Sequence, residues 1–294
     1  MKTIFIIMQV ALLIAISPLL SGFIRKVKNN MRMRKGPGIF QPYYNLAKLF
    51  QKEEVVSKNT SWIFRITPFI VLASSITAAF LVPIFTSNLY LGCMGDLLLI
   101  IFVFALGRFF LALAGLDAGS AFGGMGSSRE MFISSLIEPV MLLSLFTVSF
   151  NAGSTSIAAL SGVHVIRFSA AIAAIAFFVA MIAETSRIPV DNQETHLELT
   201  MIHEAMVLEY SGRSLGLIEL ASHIKQAVFF SIMANVIMPW QGVAMFITKI
   251  IAISLFISII EVLIAKMRLF RVVDLASFSF VLAVVSVVIS SLGF

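Results

Sequence analysis

"DLLLIIFVFALGRFFLALA", residues 96–114, contains only two charged side chains, Asp96 and Arg108. About 20 mostly apolar residues are enough to cross the hydrocarbon core of a bilayer as a helix. Because lipid offers no hydrogen-bond partners, such a segment must pair its own backbone groups and is therefore helical. The stretch predicts a transmembrane helix that carries an arginine inside it.

The whole chain shares this apolar character. Its 294 residues are 59% hydrophobic and 12% charged, with a mean hydropathy of +1.01, whereas soluble domains carry about 25% charged residues. We therefore predict an all-α integral membrane protein, with residues 1–294 forming a single polytopic membrane domain. Eight transmembrane helices are predicted, at 3–23, 63–85, 96–114, 131–151, 165–183, 217–238, 243–264 and 273–293.

The first of these segments could also be a signal peptide behind Lys2. The apolar run is long for that role, no A-x-A cleavage site follows it, and a basic stretch comes next. These features favour an uncleaved first span.

Few residues are available to bind a metal or a cofactor. The single cysteine, Cys93, excludes a disulfide framework, a cysteine-ligated iron–sulfur cluster and a thiolate zinc site. His196 and His203 share a helical face, but a metal site would require a third ligand and closer spacing. We predict neither a metal nor a cofactor site in this chain.

Lysine and arginine predict the orientation in the membrane. The connections 86–95 and 152–164 contain neither residue, whereas the connection after the first span is strongly basic. By the positive-inside rule, both termini lie outside a prokaryotic cytoplasmic membrane and the polar connections 25–62, 115–130 and 184–216 lie inside. The basic residues of the first and last inner connections are Arg25, Lys26, Lys28, Arg32, Arg34, Lys35, Lys48, Lys52, Lys58, Lys266, Arg268 and Arg271.

The first connection contains a short amphipathic segment, "PYYNLAKLF" at 42–50. Its helical spacing places Tyr43, Leu46, Ala47 and Phe50 on one face. The segment is either an interfacial helix that lies flat on the membrane or a linker packed within a complex.

Several ionisable residues fall inside the predicted spans or at their ends. A charge near the bilayer centre costs at least about 2.5–3.5 kcal/mol on insertion scales, so such residues are candidates for function. Asp96, Arg167 and Lys225 are close enough to span ends to reach the interface instead. The full set is Asp96, Arg108, Glu138, Arg167, Glu184, Glu219, His223, Lys225 and Glu261.

Glu138 is the strongest of these candidates. It lies about two turns into the fourth span, next to Pro139, which frees a backbone carbonyl and favours local hydration. Arg129 and Glu130 precede it by two or three turns. A partly hydrated carboxylate in that position predicts a proton-exchanging site, although a structural bond to a neighbouring helix is the alternative.

An acidic stretch, residues 184–213, follows the fifth span and forms the loop before the sixth. It holds six of the fifteen acidic residues of the chain: Glu184, Asp191, Glu194, Glu198, Glu204 and Glu209. Glu184 and Arg187 are three positions apart, Pro189 ends the helix, and Asp191 is placed to cap the next one. Glu194 and Glu198, four apart, repel each other, which predicts a site that holds or passes a proton.

Four motifs give the chain a resemblance to a known family. They are "RKGPG" at 34–38, the frame "GLDAGSAFGGMGSSRE" at 115–130, "ExxRxPxD" at 184–191 and "EYSG" at 209–212. The chain resembles the heel subunit of the membrane arm of respiratory complex I and its counterpart in group 4 energy-converting, membrane-bound nickel–iron (NiFe) hydrogenases of the formate hydrogenlyase type. The resemblance covers nearly the whole chain.

Two departures favour the hydrogenase branch over a quinone-reducing complex. Complex I subunits usually have glutamate at the position of His196, and they reach "EYSG" three residues sooner after the residue that matches Glu198. A stand-alone secondary ion transporter is the remaining alternative, but no internal repeat of the kind found in many carriers is evident.

The resemblance implies a subunit without a redox centre in an oxidoreductase complex that couples electron transfer to proton or sodium translocation. It also implies partners: hydrogenase-like large and small peripheral subunits that carry the NiFe centre and iron–sulfur clusters, and antiporter-like membrane subunits. The implied ion-coupling residues are Glu138, Glu184, Asp191, Glu194, Glu198 and Glu209, with Arg129 and Arg187 as their charge partners.

Overall fold

The computed structural model describes residues 2–57, 60–82, 96–156, 167–191, 201–237 and 242–293. Glu194, His196 and Glu198 therefore lie outside the described residues. The described part contains ten helices: α1 (Lys2–Met31), α2 (Gln41–Gln51), α3 (Trp62–Leu81), α4 (Leu97–Asp117), α5 (Ala121–Ala152), α6 (Phe168–Glu184), α7 (His203–Val207), α8 (Gly212–Ile237), α9 (Val243–Leu263) and α10 (Leu269–Ser291).

The prediction of an all-α integral membrane protein is confirmed. Seven of the described helices are long and apolar enough to cross a membrane, and α6, with 17 residues, is a shorter apolar helix. Seventeen residues are at the lower end of the range for a transmembrane helix, so α6 agrees with the predicted fifth span.

The predicted polar connection 115–130 is wrong. Most of it is helix, because the Ser120 hydroxyl accepts a hydrogen bond from the Gly123 amide and caps a 32-residue α5. Gly115 and Gly123 let α4 and α5 approach closely, since a Cβ atom at Gly123 would collide with the Gly115 carbonyl. At 1.5 Å per residue, α5 is about 48 Å long and exceeds the hydrocarbon thickness.

The amphipathic segment 42–50 forms α2 and packs against α1 and α8. Leu46 is buried, and the Tyr43 hydroxyl donates to the Ala15 carbonyl of α1. Tyr44 remains 69% exposed. The helix thus packs on this chain through Pro42 and Leu46, whereas Ala47 and Phe50 of the predicted face are exposed.

The buried apolar side chains form a large cluster and a smaller one, and α4, which lies between α3 and α5, contributes to both. α10 contacts α5 and α6, while α8 contacts α1, α3 and α6. The buried residues of the centre are mainly aliphatic and aromatic, with Phe104, Phe177 and Phe229 in ring contact. Within a membrane, close van der Waals packing rather than exclusion of water holds such side chains together.

Contacts between helix ends define two opposite ends of the bundle. At the first end, Gln9 donates to the carbonyl of Val82, and Ser290 to the side chain of Asn151. At the second end, the Ser61 amide donates to Asp117 and the Met267 amide to the carbonyl of Pro189. Residues near both termini therefore share one end, and the segments that flank the acidic stretch lie at the other.

Candidate functional site

Glu184, the last residue of α6, lies at the centre of a buried ion-pair network. Its Oε1 atom is 2.7 Å from Arg108 Nη2 on α4 and 2.6 Å from Lys225 Nζ on α8. The side chains of Glu184 and Arg108 are 3% and 4% exposed. Two cations on one carboxylate oxygen compensate for the loss of water around this buried charge.

The same arginine extends the network to the middle of α5. Arg108 Nη1 is 3.1 Å from Glu138 Oε1, and the Glu138 side chain is 34% exposed. Glu138 is 17 residues from the start of α5, which is about 25 Å along the helix axis. The four residues Glu138, Arg108, Glu184 and Lys225, which we call the charge chain, therefore alternate in sign across four helices.

A polar cavity of about 40 Å³ adjoins the charge chain. Glu130 and His203 line it together with Ser186 and Ser222, so hydroxyl, imidazole and carboxyl groups face one space. Carboxyl and imidazole groups exchange protons, whereas an arginine keeps its charge. The arrangement can hold a proton on a carboxylate while fixed cations keep the surrounding charge balanced.

The position of Lys225 contradicts the expectation that this residue reaches the membrane interface. Because α8 begins at Gly212, earlier than the predicted span, Lys225 lies near the middle of the helix. Its ammonium contacts Glu184 and sits 5.9 Å from the Phe104 ring centroid. Asp96 does lie at a helix end, where its carboxylate accepts from the Leu98 amide, and Arg167 immediately precedes α6.

Glu261 on α9 forms a second charge cluster with two cations from other elements. Arg187 Nη1 is 2.6 Å from Glu261 Oε1, and Lys28 Nζ on α1 is 3.3 Å from Oε2. The expected helical pairing of Arg187 with Glu184 is therefore wrong. α6 ends at Glu184, and Ser186 has a positive φ of 51°, so Arg187 leaves the helix face and points to α9.

Asp191 holds the start of α7, which begins at His203, whereas the helix that Asp191 was predicted to cap, with Glu194 and Glu198, falls on residues outside the described part. Its Oδ2 atom accepts from the amides of Ile202 and His203, at 3.3 and 3.2 Å. Its Oδ1 atom is 2.8 Å from Lys266 Nζ. The carboxylate thus holds the first turn of α7 in place across eleven positions of sequence.

His203, the first residue of α7, is surrounded by charged groups. Burial lowers the pKa of its imidazole from the ordinary value of 6.5. Neighbouring charges act in both directions: the carboxylates of Glu204, Asp191 and Glu184 favour the protonated ring, and Lys225 disfavours it. Since burial is the largest effect, His203 is neutral near pH 7 and can accept a proton.

A larger cavity of about 200 Å³ lies between α1, α2, α7 and α8. His203 lines it, and so do Glu219, His223 and Arg25. His223 Nδ1 is 2.8 Å from the Ser21 hydroxyl of α1. Because His203 lines both this cavity and the one beside the charge chain, a series of polar groups connects the surface of α2 with Glu138.

The remaining predicted residues are placed as follows. Arg129 donates to the Met201 carbonyl at 3.2 Å, so the cation at Glu138 is Arg108. Glu209 is exposed in the turn after α7, apart from the charge chain. Within the described ranges, no group of three or more His, Cys, Asp and Glu residues could hold a metal ion.

The residues of the ion-pair networks that the sequence did not assign to the site include Arg108, Lys225 and Glu261. All three were visible as charges within apolar segments. Their partners are 76, 41 and 74 positions away, as the pairs Arg108–Glu184, Lys225–Glu184 and Glu261–Arg187. Sequence spacing cannot reveal pairs of that separation, since they depend on helix packing.

The fold and the network define a class: a polytopic membrane protein with ion pairs inside the bundle that lead to a polar end. The chain belongs to the NADH dehydrogenase family, whose model matches residues 2–291. This confirms the resemblance predicted from the motifs.

Individual relatives agree with this assignment. The chain is 32% identical to formate hydrogenlyase subunit 4 of Escherichia coli over 90% of this chain and 87% of that one. It is 33% identical to hydrogenase-4 component C of the same organism, over 88% and 83%. An NADH-quinone oxidoreductase component of Syntrophotalea carbinolica is 26% identical, over 79% and 77%.

A solved structure shares the fold. A chain of the membrane-bound sulfane sulfur reductase, an archaeal respiratory membrane complex, superposes with a TM-score of 0.81 and covers 97% of this chain and 99% of that one. The two sequences are 18% identical.

Proposed function

We propose that this chain is the membrane subunit of a hydrogenase-type, complex I-related oxidoreductase, in which it couples electron transfer to the movement of protons or sodium ions. The charge chain is the observation that carries the proposal. It joins Glu184, at the end of α6, to Glu138 in the middle of α5, and a cavity lined by His203 of α7 adjoins it. Buried charges of this kind are costly in a membrane protein and mark ion pathways.

The coupling follows from the electrostatics of the charge chain. A redox event near the polar end changes the local charge, and His203 and Glu184 are the first groups to respond because they line the cavity there. Arg108 donates a hydrogen bond to Glu184 and forms an ion pair with Glu138, so a change in the protonation of one carboxylate alters the attraction between Arg108 and the other. The exposed third of the Glu138 side chain then allows the ion to pass to a neighbouring membrane subunit.

The hydrogenase branch is favoured over a quinone-reducing complex by the degree of similarity. The two hydrogenase-type relatives are 32% and 33% identical, whereas the complex I relative from Syntrophotalea carbinolica is 26% identical. The proposed partners are large and small peripheral subunits with a NiFe centre and iron–sulfur clusters, together with antiporter-like membrane subunits. This chain supplies no redox centre in the proposal.

Purification of the complex through a tag on this chain tests the partner assignment. We expect co-purified subunits that contain nickel and iron, and hydrogen evolution with a low-potential donor. A complex with iron, no nickel and quinone-dependent turnover would favour the quinone-reducing alternative. Full ion transport by the purified chain alone would instead identify a stand-alone transporter.

We further propose that both termini face the outside of the prokaryotic cytoplasmic membrane. The described basic side chains of 25–57 lie at the same end as residues 201–213 of the acidic stretch, which supports this orientation by the positive-inside rule. The peripheral redox subunits would then bind at the inner end, next to α2 and α7. On the sequence alone, we also include Glu194 and Glu198 among the proposed ion-coupling residues.

A further inference from the structure

Glu130 lies beside the charge chain but is not a member of it. It is on α5, and it lines the cavity of about 40 Å³ together with Glu184 and His203. Glu130 forms no salt bridge with any described residue, whereas Glu184 contacts two cations and Glu138 contacts one. Cations beside a carboxylate favour its ionised form. Glu130 is therefore the carboxyl group at this site whose protonation state no ion pair fixes.

The charges around Glu130 balance without it. The charged or titratable groups that face the cavity from α4, α6, α7 and α8, and the further charge from the segment after α6, are Arg108, Glu184, His203, Lys225 and Asp191. The two cations of the charge chain offset its two carboxylates, and Lys266 pairs with Asp191. An ionised Glu130 would add an uncompensated negative charge to a buried site, which desolvation disfavours. Glu130 therefore holds a proton in the resting protein.

Arg108 offers a partner to the ionised form of Glu130. The Arg108 side chain is 4% exposed, and its Nε atom is buried without a hydrogen-bond partner among the described residues. A buried donor that lacks an acceptor is costly. Because both residues line the same small cavity, the guanidinium can turn towards an ionised Glu130. Its ion pair with Glu138 would then weaken.

We propose that Glu130 is the residue that carries a proton between His203 and the charge chain. The O–H bond of Glu130 breaks and an N–H bond forms on the neutral ring of His203, which becomes a cation. Arg108 then turns from Glu138 towards the new carboxylate, and Glu138 takes up a proton through its exposed side. This inference rests on the proposed coupling function and names one of its carriers.

The surroundings of Glu130 suit a proton and not a sodium ion. Arg108 and Lys225 line the cavity and repel a metal cation, whereas a proton bound to Glu130 becomes part of a neutral group. The proton also needs no set of oxygen ligands in a space of about 40 Å³. The ion passed at this point of the chain is therefore a proton, whichever ion the partner subunits move.

Infrared difference spectra of the intact tagged complex test the carrier. Reduction by a low-potential donor should remove the carbonyl band of a protonated carboxyl group, and this band should shift in heavy water. Glu130→Gln should lack the band change, because glutamine resembles the neutral acid in shape but cannot release that proton. If Glu130→Gln does not assemble, Glu130→Asp takes its place, and the band should move in frequency. A band change identical to wild type in the assembled variant overturns the assignment.

Two further measurements separate this inference from the function on which it rests. The band change should persist when potassium replaces sodium in the buffer, and a requirement for sodium overturns the proton. In vesicles, the assembled Glu130→Gln complex should lose most ion uptake per electron, while Glu53→Gln, at an exposed position, keeps the wild-type ratio. A wild-type ratio in Glu130→Gln overturns the role of Glu130 alone. Electron transfer without ion uptake in the wild-type complex contradicts the proposed function itself.

Discussion

Arg108 and Glu184 lie 76 positions apart in the chain, and a 2.7 Å contact between Nη2 and Oε1 joins them inside the bundle. The guanidinium also reaches Glu138, so one fixed cation connects α4, α5 and α6. An arginine stays protonated and has several donors in one plane, which suits it to hold two carboxylates at once. The assembly of the site therefore depends on this residue.

Arg108→Gln should destabilise the complex, because it leaves Glu184 and Glu138 without a shared cation. Removing one partner of a buried ion pair costs about 3–5 kcal/mol. Thermal melting of the purified complex measures the loss. The double variant Arg108→Gln/Glu184→Gln should melt at a higher temperature than Arg108→Gln alone, and equal melting of the two would show that the pair is not coupled.

Arg187→Met should loosen the segment 185–191. Its guanidinium is 2.6 Å from Glu261, and without it the segment loses its ion pair with α9. Hydrogen exchange of the segment should be faster in the variant. Arg167→Met, which changes an arginine at the opposite end of the bundle, is the matched control. Wild-type exchange rates in Arg187→Met would mean that Pro189 and Asp191 alone hold the segment.

Lowering the pH should destabilise the wild-type complex more than it destabilises the His203→Gln variant. Burial lowers the pKa of His203 in the folded protein, so below about pH 6.5 the unfolded chain binds a proton that the folded one does not. Stability is therefore lost as the pH falls from 6.5 towards the lowered pKa, by up to about 1.4 kcal/mol per pH unit. Melting temperatures of both proteins at about pH 7.5 and 5.5 measure this loss. If wild type and His203→Gln differ in melting temperature by the same amount at both pH values, the expectation is contradicted.

The proposed orientation predicts the reactivity of introduced cysteines in a Cys93→Ser background. Ser154→Cys, at the exposed end of α5, should react in intact cells with a membrane-impermeant maleimide. Lys35→Cys, exposed after α1, should react only after the cells are opened. The reverse labelling pattern would place both termini on the cytoplasmic side of the membrane and would reverse the orientation of the charge chain.

Much of the fold follows from the sequence because lipid requires long apolar helices, and the spans near 96–114 and 243–264 agree closely with α4 and α9. The start of α5 was missed, since its first ten residues are rich in glycine and serine and are polar enough to suggest a loop. Glu138 and Glu184 were identified as unusual charges. Their common partner could not be, because the contact requires α4, α5 and α6 to pack together.

The number of ions moved per electron in vesicles that contain the complex tests the coupling role of Glu138 most directly. Glu138→Gln removes the titrating proton with little change in volume, and its exposed third makes a loss of assembly unexpected. We expect the assembled variant to lose most ion uptake relative to electron transfer, while Glu53→Gln, the same change at an exposed position, keeps the wild-type ratio. A wild-type ratio in Glu138→Gln would contradict the account and leave Glu138 as a structural partner of Arg108.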